Sequence, residues 1–210
     1  MMNGLSRRGF LGTSAAALAV TACAPIPAPP PEFPPIDYAS RRDGRHSLSS
    51  IDIGQVHPAF QRQVVPYVTE QPVGAIVVEN SNRLLYLVLP DGYALRYGIS
   101  VGREGFDWTG TSTVYRKAQW PTWTPPPEMI ARDPKLERWK DGQPGGPRNP
   151  LGARALYLLT EGRDQGYRIH GTPSWRSIGR FASSGCFRML QQDVIDLYDR
   201  VPVGTPLIVV

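Results

Sequence analysis

Apolar residues are unevenly spread along the chain, and their spacing changes character at about residue 73. From there on they come in short runs separated by turn residues. Val73 to Glu79 (VGAIVVE) is β-branched and apolar, which predicts a strand, and Arg83 to Leu89 (RLLYLVL) predicts a second. Pro90-Asp91-Gly92 is a turn signal, and Tyr93 to Val101 (YALRYGISV) reads as a third strand. Thr111 to Trp120, Ala153 to Thr160, Gly166 to Ile169 and Pro206 to Val210 follow as further strands. Helical spacing appears twice. Leu190 to Val201 places Val194, Leu197, Tyr198 and Val201 on one face, and Glu128 to Trp139 reads as a helix that Pro134 breaks or kinks. Between the elements lie an aromatic, proline-rich loop around Trp120 and Trp123 and a glycine-rich loop, Asp141 to Gly152. The glycines of the second loop do not fit a phosphate-binding turn, since no strand precedes them and no Lys-Ser/Thr follows. The pattern is mainly β with short helices, an α+β domain without internal repeats.

The first 72 residues look different. Ser6-Arg7-Arg8-Gly9-Phe10-Leu11 is a twin-arginine pattern, followed by an apolar, small-residue run from Leu11 to Ala22. That is the layout of a signal peptide, and the run is short for a membrane span, which takes about 20 residues. Val20-Thr21-Ala22-Cys23 resembles a lipobox, which predicts lipidation of Cys23; Ala24 rather than Asp after it points to the outer membrane in an organism with two. Prolines crowd residues 25 to 35 and favour an extended, semi-rigid spacer. Residues Asp37 to Ile53 are polar and read as linker or poorly ordered surface, with His46 and His57 as solvated side chains. The expected organisation is a signal peptide over 1–22, a linker over 23–55 and a catalytic domain over 73–210.

Charge narrows the partners. The 210 residues carry a formal net charge of +5, and loss of Arg7 and Arg8 with a leader would bring it to +3. Such a mild excess suits an anionic polymer or a membrane surface and lacks the clustered basic stripe of a nucleic-acid binder. Of the two cysteines, Cys23 is taken up by the expected lipidation, so the processed domain keeps one free thiol, Cys186. A single cysteine in an exported domain points to a reactive thiol rather than a structural bridge.

The chemistry concentrates in His170 to Met189 (HGTPSWRSIGRFASSGCFRM). A thiol attacks as thiolate, and a nearby imidazole can take its proton. With His46 and His57 outside the domain, His170 is the base candidate for Cys186. The Gly185-Cys186 turn can offer backbone N–H groups to an oxyanion. Arg188 can hold that turn, pair with an anionic substrate or sit in a structural salt bridge. One thiol and one imidazole do not make a zinc site, so neither a metal nor another cofactor is expected.

His170-Gly171-Thr172, a spacer, and Ser183-Ser184-Gly185-Cys186-Phe187-Arg188 resemble the active-site signature of the L,D-transpeptidase catalytic domain, the YkuD or ErfK/YbiS/YcfS/YnhG family. The resemblance covers roughly 73–210 and implies that family's β-sandwich. It also implies a cysteine acyltransferase acting on peptidoglycan stem peptides. Cys186 is then the nucleophile and His170 the proton donor and acceptor. The Gly171 carbonyl would orient the imidazole, Gly185 and Cys186 N–H groups would form the oxyanion hole, and Ser183 and Arg188 would support the site. Loss of the terminal D-Ala would leave a thioester, and an amine would resolve it into a 3→3 cross-link or a link to an envelope lipoprotein. The implied location is the periplasm or cell envelope. Several relatives carry His at the position of Ser184, so a second base is missing here, which leaves the acceptor open. Two rivals share the site or the surface: a carboxypeptidase or amidase of the same fold, in which water resolves the thioester, and a non-catalytic wall-binding lipoprotein. A papain-like peptidase would place its Cys well before its His, the reverse of the order here.

Overall fold

The short apolar runs assemble into one large sheet that curls back on itself. The computed structural model describes residues 28–103 and 108–210. The twin arginines, the lipobox and Cys23 lie outside the described residues. In chain order the elements are β1 (Arg41–Asp43), β2 (His46–Leu48), β3 (Gln63–Pro66), β4 (Ile76–Glu79), β5 (Leu84–Val88), β6 (Tyr93–Gly98), β7 (Val101–Gly102) and β8 (Gly110–Gln119). Then come α1 (Pro127–Arg132), β9 (Arg154–Leu159), β10 (Arg168–Gly171), β11 (Phe181–Ser183), β12 (Phe187–Met189), α2 (Gln191–Arg200) and β13 (Pro206–Val209).

Among the described residues a nine-stranded sheet has the order β12-β10-β9-β8-β13-β4-β5-β6-β3. Neighbours are antiparallel except at β10–β12 and β4–β13. The Tyr93–Val101 run was expected as one strand, but it breaks after Gly98 because Ser100 leaves β5 for another partner. Its N–H and carbonyl pair with the carbonyl and N–H of Arg188, at 2.9 and 2.8 Å. The chain leaving β6, near one end of the strand order, is thereby tied to β12 at the other end. β7 then pairs with β11. The curl encloses one contiguous core in which Ile76, Leu85 and Tyr97 share a buried cluster with Leu156, Ile169, Phe187 and Met189. This is the layered, mainly β architecture with short helices that the sequence predicts.

Helix α2 closes that core with Val194 and Leu197, joined by Val201 at its C-cap, all positions its spacing predicts. Lys117 of β8 donates to the carbonyls of Tyr198 and Val201 at 2.5 and 2.6 Å, giving the helix C-terminus both hydrogen bonds and positive charge. The Glu128–Trp139 region splits at Pro134 as expected, into α1 and a 3-10 helix over Pro134–Trp139.

The segment Asp37 to Ile53 corrects the reading of it as linker or poorly ordered surface. β1 and β2 form a hairpin docked on the domain. Asp43 receives both Arg154 terminal nitrogens at 2.7 and 2.9 Å and the Trp120 indole N–H at 2.8 Å. The Tyr38 hydroxyl donates to Asp193 of α2 at 2.6 Å, and Leu48 and Ile51 are buried. His46 lies against the Trp120 ring, centroids 4.5 Å apart, rather than in open solvent. The segment looked polar because its docking uses a few ion pairs and hydrogen bonds to residues more than 75 positions away, which no local periodicity registers.

Candidate active site

Strand register builds the site. On β10, Arg168 and His170 point to one side and Ile169 to the core; on β12, Phe187 and Met189 enter the core and Arg188 faces the other way. The parallel pairing sets Ile169 beside Phe187 and His170 beside Arg188. Cys186, one residue before β12, therefore comes level with Arg168 on the His170 side of the sheet. His170, Cys186 and Arg188 all line one cavity of about 630 Å³. Trp123, Met129 and Leu136, from the insertion between β8 and β9, form its outer wall. Asn149 ties that insertion down: its amide donates to the carbonyls of Pro121, Gln143 and Pro144, and its carbonyl accepts the Leu151 N–H.

His170 is buried, and its Nδ1 lies 2.7 Å from the Gly171 carbonyl oxygen. A carbonyl can only accept, so Nδ1 carries the proton. Burial holds the imidazole pKa down to about 4, aided by the charges of Arg188 and Arg168 and opposed by the carbonyls of Gly171 and Pro150. The ring is therefore neutral at pH 7, with Nε2 left as its basic nitrogen. Gly171 has no room for a side chain: a Cβ there would run into Gln191 at the start of α2, whose Oε1 accepts the Ala153 N–H at 2.9 Å.

The Cys186 thiol is part-exposed to the cavity yet densely surrounded by protein. It donates to the Gly166 carbonyl at 3.5 Å. Burial raises its pKa, against the lowering influence of Arg168 and Arg188. No hydrogen bond joins Cys186 to His170 among the described residues, so the two share a cavity as neutral thiol and neutral imidazole rather than as a preformed ion pair.

The turn before Cys186 departs from the expected oxyanion hole. Gly185 adopts φ 105°, a left-handed conformation natural to glycine, and its N–H donates to the Ser183 hydroxyl at 3.2 Å. Ser183 thus shapes the turn, and the Gly185 N–H is already engaged. Among the described residues no carboxylate pairs with Arg188. Ser184 also lines the cavity. The sequence did not single out Arg116, Tyr157 and Arg168, which line the same cavity; their signal, alternation on three strands that are adjacent only in the fold, needs the strand order to be seen.

The YkuD family, L,D-transpeptidase catalytic domain, matches residues 74–209. Two Escherichia coli K12 proteins are similar over much of the chain. The one named probable L,D-transpeptidase ErfK/SrfK is 38% identical over 139 residues, covering 62% of this chain and 42% of its own length. The one named probable L,D-transpeptidase YbiS is 36% identical over 137 residues, covering 63% and 42%. This chain thus spans less than half the length of these relatives. A solved structure from Brucella melitensis, named as a probable carnitine operon oxidoreductase, is 47% identical with a TM-score of 0.51, covering 73% of this chain and 96% of that one.

Proposed function

The chain belongs to the L,D-transpeptidase catalytic-domain family, and from that premise we propose that it is a cysteine acyltransferase acting on peptidoglycan stem peptides. The observation that carries this reading is the register of β10 against β12, which turns His170, Cys186 and Arg188 toward one cavity.

Cys186 Sγ attacks the carbonyl carbon of the amide between the third residue and the terminal D-Ala. As the S–C bond forms, the thiol proton passes to His170 Nε2, which requires the thiol to turn from the Gly166 carbonyl toward the imidazole. The Gly171 carbonyl holds the ring through Nδ1 and takes up part of the charge of the imidazolium that forms. The oxyanion is met by the Cys186 N–H and the field of Arg188. Collapse breaks the C–N bond, and the D-Ala amine leaves with the proton from Nε2. The thioester is then attacked by an amine that gives its proton to Nε2. Cys186 departs as thiolate and recovers that proton. The acceptor amine is the third-residue side chain of another stem, giving a 3→3 cross-link, or an amine of an envelope lipoprotein.

The same reading places residues 1–22 as a signal peptide, Cys23 as a lipid-bearing residue and 73–210 as the catalytic domain, with the docked segment 37–66 attached to it. The protein then works in the cell envelope on a proline-rich tether. Incubation of the purified protein with disaccharide-tetrapeptide, followed by mass spectrometry, tests the activity. Dimers lighter by one D-Ala are expected. Tripeptide monomer alone would turn the reading to a hydrolase, and an unchanged spectrum with both stem and lipoprotein acceptors would reject it.

A further inference from the structure

The cavity that holds His170 and Cys186 carries three guanidinium groups, Arg116, Arg168 and Arg188, and no Asp or Glu lines it among the described residues. Two of the three form a row. Arg116 of β8 and Arg168 of β10 both pair across with Tyr157 of β9, one on each side. Their guanidinium carbons lie 4.4 and 4.7 Å from the Tyr157 ring centroid. Stacking on an aromatic face holds a guanidinium in place and leaves its edge N–H groups free for a planar anion. Arg168 is partly neutralised by Asp164, at 3.3 Å. Arg116 is exposed, and among the described residues no carboxylate pairs with it. An exposed arginine fixed by a ring, without an anion and facing the catalytic cavity, is a site for an anionic group of the ligand.

We infer that Arg116 and Arg168, held on Tyr157, form a subsite for a carboxylate of the acyl-donor peptide. The assignment rests on the stem-peptide reading above and names the part of that peptide the subsite takes. The thiol strand is level with Arg168, and Tyr157 lies two strands away, so the row's centre is about 10 Å from the nucleophile's strand. The carboxylate of the leaving D-Ala is held within about 5 Å of the scissile carbon by its bond lengths. It cannot reach the middle of the row. The group that can is retained on the acyl side: the free carboxylate of the second residue, or the side-chain carboxylate of a diamino diacid at the third.

The test uses three synthetic tetrapeptides: both carboxylates free, the second-residue carboxylate amidated, and the third-residue side-chain carboxylate amidated. Affinity is measured on the full chain carrying Cys186→Ala, so that no turnover intervenes, and on the same protein with Arg116→Gln added. Arg138→Gln, exposed on the insertion and not among the cavity-lining residues, controls for general loss of charge. Arg116→Gln is expected to weaken binding of the free peptide about tenfold, the scale of one partly exposed charge-assisted hydrogen bond. It should add no loss for one of the two amidated peptides, which identifies the carboxylate bound. In the Cys186 enzyme the same loss should appear in KM. Equal affinity with and without Arg116, or the same loss for all three peptides, overturns the subsite. If the parent protein binds none of the three, the stem-peptide reading itself fails, and that outcome is visible before any arginine is changed.

Discussion

Acylation of Cys186 by a penem should be nearly flat in pH from 7 down to about 5. The perturbation is pH, and the group that reports is His170. A solvated imidazole titrating near 6.5 would fall from mostly neutral at pH 7 to a few per cent neutral at pH 5, slowing a base-dependent step about 25-fold. Burial and the two nearby arginines hold His170 to about 4. The neutral fraction then changes by only about 1.1-fold over the same interval, and the rate halves near pH 4. The thiol contributes no acid limb of its own, because burial raises its pKa and it stays protonated throughout. The assay is the observed rate of adduct formation by intact-mass spectrometry at fixed penem, with circular dichroism at each pH to exclude unfolding. A second arm uses iodoacetamide, which reports thiolate directly. Its rate should climb through the alkaline range, since no preformed thiolate–imidazolium pair stands ready at neutral pH. A tenfold or greater loss of penem acylation between pH 7 and 5 would refute the neutral, buried base. So would iodoacetamide reactivity that is high and flat from pH 5 to 8.

Three further outcomes follow from the same geometry. Cys186→Ala should abolish the penem adduct while shifting stability by less than about 1 kcal/mol in urea titration, because the side chain is part-exposed and leaves little cavity. Asp43→Ala should destabilise by about 3 kcal/mol, the low end for breaking a buried pair, since Arg154 stays buried while Asp43 is one-fifth exposed; chemical denaturation reads it. Asp193→Asn should stabilise at alkaline pH and far less at acid pH. Burial raises this carboxyl from 3.8 to about 7, so the native state favours its protonated form. The associated stability is complete below pH 3.8 and is lost as pH rises through 7. Asn mimics the protonated form at every pH, so the gain should approach about 4 kcal/mol at pH 8 and fall to about 0.6 kcal/mol at pH 4. A melting-temperature difference that is the same at both values would refute it.

What the sequence made legible follows from how each feature is encoded. Local signals were sufficient for β5, β8, β9, β13 and α2, whose apolar spacing or flanking turns mark them, and for the break at Pro134. The order and spacing of His170 and the Ser183–Arg188 stretch were enough to nominate the site. Features encoded over long range were not readable. β12 is only three residues long, and its role depends on pairing with β10 and on the Ser100 bridge that ends β6 early. The hairpin of β1 and β2 is held by Arg154 and Trp120, and Tyr38 just before it by Asp193, none of them near in sequence. The Gly185 N–H was expected at the oxyanion, but the ring closed by the Ser183 hydroxyl uses it. That closure follows from a side-chain rotamer, which a motif does not specify. Arg116, Tyr157 and Arg168 are ordinary alternating residues until three strands bring them into one row.

The electrostatics of the cavity link recognition to chemistry. Arg168 and Arg188 disfavour an imidazolium at His170 and favour a thiolate at Cys186, while burial opposes the charged form of both. The resting site is therefore held neutral, and a proton transfer from sulfur to nitrogen without a substrate would place the new imidazolium in a positive field. A carboxylate seated on Arg116 and Arg168 changes that balance. It cancels part of the field at His170, which strengthens the base, and by the same cancellation withdraws part of Arg168's support for a thiolate at Cys186, leaving Arg188 to meet the negative charge that moves from sulfur to the carbonyl oxygen. Arg168 would then serve two ends, since it reaches the donor peptide on one side and sets the basicity of the imidazole on the other. The sheet makes this possible because Arg168 and His170 are two residues apart on one strand, so a ligand held by the first is presented to the second with fixed geometry. Without such a ligand, burial keeps the thiol protonated at neutral pH against the lowering influence of both arginines.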